Sequence, residues 1–374
     1  MKITDISNNI NEWFSGAGPH CDAVISSRIR LARNLDGHKF LSRCSDSEKT
    51  EILNLLKNVT MSLQIGDNVS YVSVDEASSL DRNLLMERHL ISRGHALGKG
   101  PRGVVLAHRE FFAAMINEED HLRLQVLKPG FQLNGCYEQI NSIDDRIEKQ
   151  IAYAFSTKYG YLTACPTNLG TGIRISVMLH LPALKMTGQI KKFLNAARAM
   201  NLAVRGLFGE GSEAAGDFYQ LSNQVSLGIS EMELIKQFEA TLVPEIIDYE
   251  RQARQKLLED NSQSLDDKVS RALALLRNAH LISSQEALTL LSHIRLGINM
   301  REHMGAETPA LKSLCGLIPR NVARSEFIQT INRLFMLTQP AHLQINHGRH
   351  LDPTKRDALR AKIIRSELGG ESRQ

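Results

Sequence analysis

The stretch Gly103-Val-Val-Leu-Ala-His-Arg-Glu-Phe-Phe-Ala-Ala-Met-Ile-Asn-Glu-Glu-Asp-His-Leu-Arg-Leu-Gln-Val-Leu127 packs three short apolar runs into a small space: Gly103 to Ala107, Phe111 to Ile116 and Leu122 to Leu127. These β-like runs follow one another too closely for helical crossovers, which predicts antiparallel strands. Working outward, the same pattern marks strands at Ala23 to Ala32, Val69 to Val74, Ile173 to His180, Leu202 to Leu207 and Phe218 to Val225. Apolar spacing near 3.6 residues predicts helices at Ser47 to Leu63, Leu80 to Leu90, Gln139 to Phe155, Leu184 to Ala199 and Ser230 to Leu258. The order is not a regular βα alternation, so the expected fold class is α+β, an antiparallel sheet flanked by helices.

After Leu258 the character changes. Glu259-Asp-Asn-Ser-Gln-Ser-Leu-Asp-Asp267 is polar and reads as a linker or interhelical loop. Helical patterns then cover Lys268 to Leu281, Ser284 to Leu296, Ser325 to Leu337 and Pro353 to Leu368. Start signals such as Ser283-Ser-Gln-Glu286 and Asp352-Pro353 open them. Residues 1–258 and 259–374 are therefore expected as two domains, the second all-α.

The chain has 374 residues, a net charge of +4 and 23% charged residues of mixed sign. Such a balance gives no support to a role in binding nucleic acid or a membrane surface. Five scattered cysteines without a C-x-x-C pair fit neither a disulfide framework nor a structural zinc site. A reducing cytoplasm is the expected location, and the start of the chain has no export signal.

Four segments carry chemistry. In Ser26-Ser-Arg-Ile-Arg-Leu-Ala-Arg-Asn34, Arg28 and Arg30 share one face of a strand while Ile29 and Leu31 take the other. In Asn117-Glu-Glu-Asp-His121, three carboxylates precede Arg123 and Gln125 at alternate strand positions. Cys165-Pro-Thr-Asn-Leu-Gly-Thr-Gly172 runs into Arg174, and its glycines could admit a ligand to the backbone, although no Walker-type Lys-Ser/Thr follows. Arg205-Gly-Leu-Phe-Gly-Glu-Gly-Ser-Glu213 sets a backbone-freeing glycine run between an arginine and two glutamates. Arg28, Arg30, Arg123, Arg174 and Arg205 thus fall at strand or strand-edge positions of a single sheet, an inventory suited to a polyphosphate.

These segments resemble the signatures of the phosphagen kinase (ATP:guanido phosphotransferase) family, and more closely those of its bacterial branch, the protein-arginine kinases. The resemblance covers roughly residues 20 to 255, with four separated motifs in the right order. It implies transfer of the ATP γ-phosphoryl group to a guanidino nitrogen, with Mg²⁺ accompanying ATP and no metal held by protein ligands. It further implies nucleotide contacts from Ser26, Ser27, Arg28, Ile29, Arg30, His89 and Arg123. Arg174, Ile175, Ser176, Val177 and Met178 would join them, as would Arg205, Gly206, Leu207, Phe208 and Gly209. Glu119 and Glu210 match the two catalytic carboxylates, and Cys165 matches a cysteine beside the guanidino group.

Only 25 residues precede Ser26, too few for the helical N-terminal domain that kinases of free arginine or creatine carry. The run Arg356-Asp-Ala-Leu-Arg-Ala361 resembles the phosphoarginine-binding motif of protein-arginine kinases, which assigns Arg356, Asp357, Ala358, Leu359, Arg360 and Ala361 to a regulatory pocket. It is expected on a separate helix, with Arg356 and Arg360 on one face, away from phosphoryl transfer. The resemblance implies protein substrates with exposed arginines and a stress role. Its implied partners are a zinc-finger activator, a heat-shock repressor and a Clp protease, in a homodimer or higher oligomer, with no direct nucleic-acid or membrane contact. A kinase of free arginine or another small guanidino compound is the alternative enzyme. A catalytically silent phosphoarginine adaptor is the alternative from another class.

Overall fold

The structure, a computed structural model, describes residues 6–7, 11–66, 68–207, 215–305, 308–309, 311 and 324–369. Ten strands form: β1 (Val24–Arg33), β2 (Val69–Ser73), β3 (Gly103–Ala107), β4 (Phe112–Ile116), β5 (Leu122–Pro129), β6 (Phe155–Ser156), β7 (Gly160–Tyr161), β8 (Ile173–His180), β9 (Leu202–Arg205) and β10 (Phe218–Asn223). Eight of them make one sheet in the order β2-β3-β4-β5-β1-β8-β10-β9, and β6 and β7 form a separate hairpin. Every pair is antiparallel. The fold is the α+β arrangement expected, with the three strands of the opening stretch side by side.

Helices follow as α1 (Asp46–Ser62), α2 (Ser79–Glu87), α3 (Arg93–Leu97), α4 (Leu133–Glu148), α5 (Pro182–Met186), α6 (Ile190–Ala199), α7 (Glu231–Gln237), α8 (Val243–Asn278), α9 (Ser284–Met304), α10 (Arg324–Leu337), α11 (Pro340–His347) and α12 (Pro353–Glu367). Ser45 and Glu48 close a capping box on α1, and Ser283 and Asp352 cap α9 and α12 through the backbone N–H groups of Glu286 and Lys355. Three expectations differ from the structure. The helix expected at 139–155 is α4, shifted toward the N-terminus, because Ala152 and Ala154 spend their backbone groups on Asp36 and Asn34 beside the end of β1. The helix expected at 184–199 is two, divided at Gly188 with φ 72°. The polar run 259–267 is not a loop: α8 continues through it with one break at Asn261 (φ −151°, ψ 37°), because Leu265 and Val269 are buried on its inner side.

Strand alternation divides the sheet's two faces. Ile29, Leu31, Leu124, Val126, Ile175 and Val177 enter one core, covered by α1, α4 and the first half of α8. On the opposite face, Trp13, Phe14, Leu127, Met178 and Phe218 pack against the second half of α8 and against α9 and α10. At the β2–β4 edge of that face, Val104, Leu106 and Met115 pack with α2, α3 and Ala341 of α11. The C-terminal helices therefore share a core with the sheet. Between the two covers the face stays open.

Buried polar groups fasten the junction. Arg295 donates to the carbonyls of Cys21 (2.5 Å) and Asp22 (3.2 Å) and to His180 Nδ1 (2.8 Å). His180 in turn meets Ser292 Oγ (2.8 Å), which donates to Asp217 (2.7 Å). Burial, then Arg295, holds the His180 pKa well below the usual imidazole range, so the ring is neutral. Arg295→Leu strands buried acceptors on both sides of the junction and should destabilise the protein by at least about 2 kcal/mol. Arg271→Leu, which loses only an exposed pair with Asp267, should stay within about 0.5 kcal/mol. Urea midpoints of the two variants test this; equal losses would contradict it.

Candidate active site

Register brings the five arginines together. Arg30 lies opposite Arg174 on β8 and Gln125 on β5, and Arg28 lies opposite Ser176. Arg123 sits across from Ala32, two positions further along the same face. Ser222 and Gln220 of β10 continue the row toward Arg205 of β9. Because alternate residues share a face, these side chains project to the uncovered side, while Ser27, Ile29, Ile175 and Val177 are buried on the other. The nucleotide role implied for those four is therefore not one for their side chains. Gly206 and Leu207 are buried at the end of β9, whereas Phe208, Gly209 and Glu210 lie outside the described residues.

The open face is the floor of a cleft of about 1460 Å³. Arg28 is pushed down to about 9 by burial and by Arg123, Arg174 and Arg205. Arg30 falls well below its usual range by burial, then by Arg28, Arg123 and Arg174. Guanidinium keeps its proton at neutral pH, so these shifts register the cost of crowding cations, a cost that an anion among them removes. Arg30 Nε is buried without a hydrogen-bond partner among the described residues, as fits a donor awaiting a ligand. His89 adopts φ 58°, with its backbone carbonyl held by Gln125 (2.8 Å) and its ring edge-on to Trp13 at 5.1 Å. Burial and Arg28 lower its pKa to about 3, so it faces the cleft as neutral imidazole.

Carboxylates gather at the other end. Asp120 accepts from Asn34 Nδ2 (2.7 Å) and from the backbone N–H of Ala164 (2.6 Å), pinning the loop 117–121 to the segment before Cys165. That pin brings the Cys165 thiol, 3.0 Å from Thr167 Oγ1, and the Glu119 carboxylate to the same end of the cleft. Glu119 is exposed at the cleft wall, and partial desolvation there, then the neighbouring Glu118, raises its pKa above the usual carboxylate range. Glu118 is itself committed: it accepts from Arg123 (2.7 Å), from Ser92 Oγ (2.5 Å) and from the Glu119 backbone N–H (2.9 Å). Gly170 and Gly172 meet protein backbone at close range. A Cβ on Gly172 would lie 2.6 Å from the Ala32 carbonyl, and one on Gly170 would lie 2.9 Å from the Ser226 carbonyl, so these glycines let the Cys165 loop press onto its neighbours.

The C-terminal helices reach the same cleft. Arg356 lines it with Gln344 and Ala341, so α12 does not stand apart from the arginine floor. Arg360 does not share that opening. It is buried, donating to the carbonyls of Thr338 (2.8 Å) and Ile282 (2.7 Å) and to Asp357 (2.5 Å). The paired grip of Arg356 and Arg360 expected from their spacing is therefore not presented, because the backbone turn before α11 consumes one member. The sequence reading also missed the Glu118–Ser92 clamp, for which the only signal was the adjacency of two glutamates. It missed Gln220 as well, although its place in the alternation of β10 was readable.

Known proteins resemble this chain in sequence and fold. A family model described as ATP:guanido phosphotransferase, C-terminal catalytic domain, matches residues 51–253. Another, described as protein-arginine kinase McsB C-terminal domain, matches residues 262–315 and 316–374. A protein-arginine kinase of Halothermothrix orenii is 43% identical over 369 residues, covering 98% of this chain and 99% of its own. One from Brevibacillus brevis is 42% identical, covering 97% and 96%. Among solved structures, a lombricine kinase superposes with a TM-score of 0.55 at 28% identity, over 66% of this chain and 70% of that one. A duplicated taurocyamine kinase from Schistosoma mansoni, bound to transition-state analogue components, gives a TM-score of 0.57 at 28% identity. The match covers 63% of this chain and spans 34% of that duplicated one. The chain belongs to the ATP:guanido phosphotransferase, or phosphagen kinase, family, and within it to the branch of the protein-arginine kinases.

Because Glu118 helps to raise Glu119, Glu118→Gln should move the acidic limb of the kcat/KM profile to lower pH, as Glu119 then ionises more readily. Loss of the clamp on Arg123 should also lower kcat by roughly tenfold. An unmoved acidic limb would separate Glu119 from the proton transfer.

Proposed function

We propose that the protein transfers the γ-phosphoryl group of ATP to the guanidino group of arginine side chains in other proteins. The observation that carries this reading is the single cleft with five arginines on its floor and Glu119 beside Cys165 at its end. In the transfer, the bond between the bridging oxygen and γ-phosphorus breaks as an N–P bond forms, and the guanidinium gives up a proton. A guanidinium with a pKa above about 12 does not lose that proton unaided. Glu119 aligns the guanidinium and accepts the proton, with Glu210 as the second carboxylate. The raised pKa of Glu119 suits a proton acceptor better than a fully solvated carboxylate would. Arg28, Arg30, Arg123, Arg174 and Arg205 hold the phosphates and take up the charge spreading over the moving group.

Among the described residues no group of three or more His, Cys, Asp or Glu side chains could hold a metal. The arginine floor, with its buried unpaired Arg30 Nε, fits polyphosphate oxygens. A Mg²⁺ ion arriving with ATP would sit on those oxygens and water and would supply charge neutralisation between the β- and γ-phosphates. Arg356 is the member of its motif open to a phosphoarginine, with Arg360 as its buried frame. The reading extends to a reducing cytoplasm and a stress-linked role, in which arginine phosphorylation is coupled to a zinc-finger activator, a heat-shock repressor and a Clp protease. No helix of the described residues is long and apolar enough to cross a membrane.

Incubation with ATP and either free L-arginine or casein separates the substrates: acid-labile phosphate should appear on casein arginines and far more slowly, if at all, on the free amino acid. Transfer to free arginine alone would favour the small-guanidino alternative. Glu119→Gln should lower kcat by about 10²-fold or more with ATP affinity near that of the native protein. Near-native turnover would remove Glu119 from its role. Arg174→Lys should recover only part of the activity lost in Arg174→Ala, because a point charge does not replace a planar fork.

A further inference from the structure

The cleft floor has a second side. Arg28, His89 and Gln220 line the cleft, and the same three residues line an adjoining cavity of about 10 Å³ together with Ser26, Ser176 and Trp13. Register accounts for its sheet wall: Ser176 lies opposite Arg28, and Ser26 and Gln220 both lie opposite Met178, so all of them alternate onto the arginine-bearing face. Trp13 reaches that face from the short 3-10 turn Glu12–Phe14 that precedes β1. Its ring is buried, packing with Phe14, Leu127 and Met178 in the apolar core under the C-terminal helices and standing edge-on to His89 at 5.1 Å. Trp13 therefore sits where the apolar part of the face ends and the cationic part begins.

Trp13 Nε1 and Ser176 Oγ, both on residues that line this cavity, are buried without a hydrogen-bond partner among the described residues. An indole N–H can only donate, whereas a hydroxyl both donates and accepts. A buried Trp normally finds a partner for its N–H, and leaving such a group unpaired costs about 1–3 kcal/mol. A cavity of this size is the least that admits one water molecule, and its walls offer that water both a donor and an acceptor.

We propose that Trp13 is a positioning residue for the nucleotide: its indole N–H donates to one water molecule in this cavity, the water donates to Ser176 Oγ, and the filled cavity backs Arg28 and His89 against the incoming phosphates. The inference rests on the reading of the cleft as an ATP site. Arg28 is crowded by Arg123, Arg174 and Arg205, and an unfilled space behind it would let its side chain retreat from them. A rigid indole and a bonded water block that retreat, so the donors stand in place before the phosphates arrive.

The test is a double-mutant cycle on the full-length protein, read by calorimetry as affinity for a non-hydrolysable ATP analogue with Mg²⁺. Trp13→Phe, which keeps an aromatic ring and loses the N–H, and Ser176→Ala should each weaken binding by roughly fivefold. Because both act through the same water, the double variant should also lose roughly fivefold rather than the product of about 25-fold. Trp13 is the chain's only tryptophan, so the emission of the native protein should change when the analogue binds. Additive losses, as a Ser176 that touches the nucleotide itself would give, overturn the proposal, and so does undiminished affinity in either single variant. Native emission that ignores a bound analogue overturns it too, whether or not Trp13→Phe folds. A crystal structure of the native protein that resolves ordered waters should show one between Trp13 Nε1 and Ser176 Oγ, and a site without that water contradicts the proposal while leaving the ATP reading intact. Failure of the native protein to bind the analogue at all overturns the reading of the cleft itself.

Discussion

Packing the guanidiniums of Arg28, Arg30, Arg123, Arg174 and Arg205 against one another on a sheet costs free energy that the folded chain must recover elsewhere. Arg28 and Arg30 are depressed both by burial and by their own neighbours, and the surrounding Glu118 offsets only part of this. The recovery comes from the opposite face, where Ile29, Leu31, Ile175 and Val177 are fully or almost fully buried in the largest apolar core. β1 and β8 thus each supply both members of the cationic row and apolar contacts that hold it in place. A polyphosphate entering the cleft meets donors already positioned and already desolvated, so little reorganisation is left for the reaction itself.

The helical C-terminal region belongs to the same economy of surface. Its helices cover the part of the functional face where Trp13, Phe14, Leu127, Met178 and Phe218 would otherwise meet water, and stop short of the arginines. Glu87, at the end of α2, accepts from the backbone N–H groups of Ala341 and His342 at the start of α11. The adjoining Arg88 is paired with buried Glu110 and contacts His342 at 3.2 Å. His89 follows at once in the chain, so the segment bearing it is fixed between the sheet and a C-terminal helix. Arg360, bonded to the Thr338 carbonyl just before α11, extends that framework to the helix that brings Arg356 to the cleft.

Period-2 alternation with intervening charges was enough to place the eight strands of the main sheet, though not the short β6–β7 hairpin, and those strands placed the arginines. Arg28 and Arg30 on β1 share a face as a matter of covalent geometry, and the order of the motifs supplied the rest of the row. Legibility failed where long-range contacts overrule local pattern. A polar stretch at 259–267 stays helical because Leu265 and Val269 find a core that only the folded sheet provides. The i, i+4 spacing of Arg356 and Arg360 correctly suggested a helix, but spacing alone does not reveal that Thr338 and Ile282 offer their carbonyls to one of the pair. Glu118 and Glu119 are chemically identical in sequence, and they part company only through Ser92 and Arg123, which arrive from other elements.

The arginine row is costly in the nucleotide-free protein and offset by phosphate, and thermal unfolding of Arg30→Met, with and without ATP and Mg²⁺, tests that directly. Methionine relieves the like-charge crowding while keeping an unbranched apolar stem, so the nucleotide-free variant should melt at or above the temperature of the native protein. The stabilisation that ATP gives the native protein should be largely lost in the variant. A variant that melts well below the native protein without nucleotide, yet gains as much from ATP, would contradict the account.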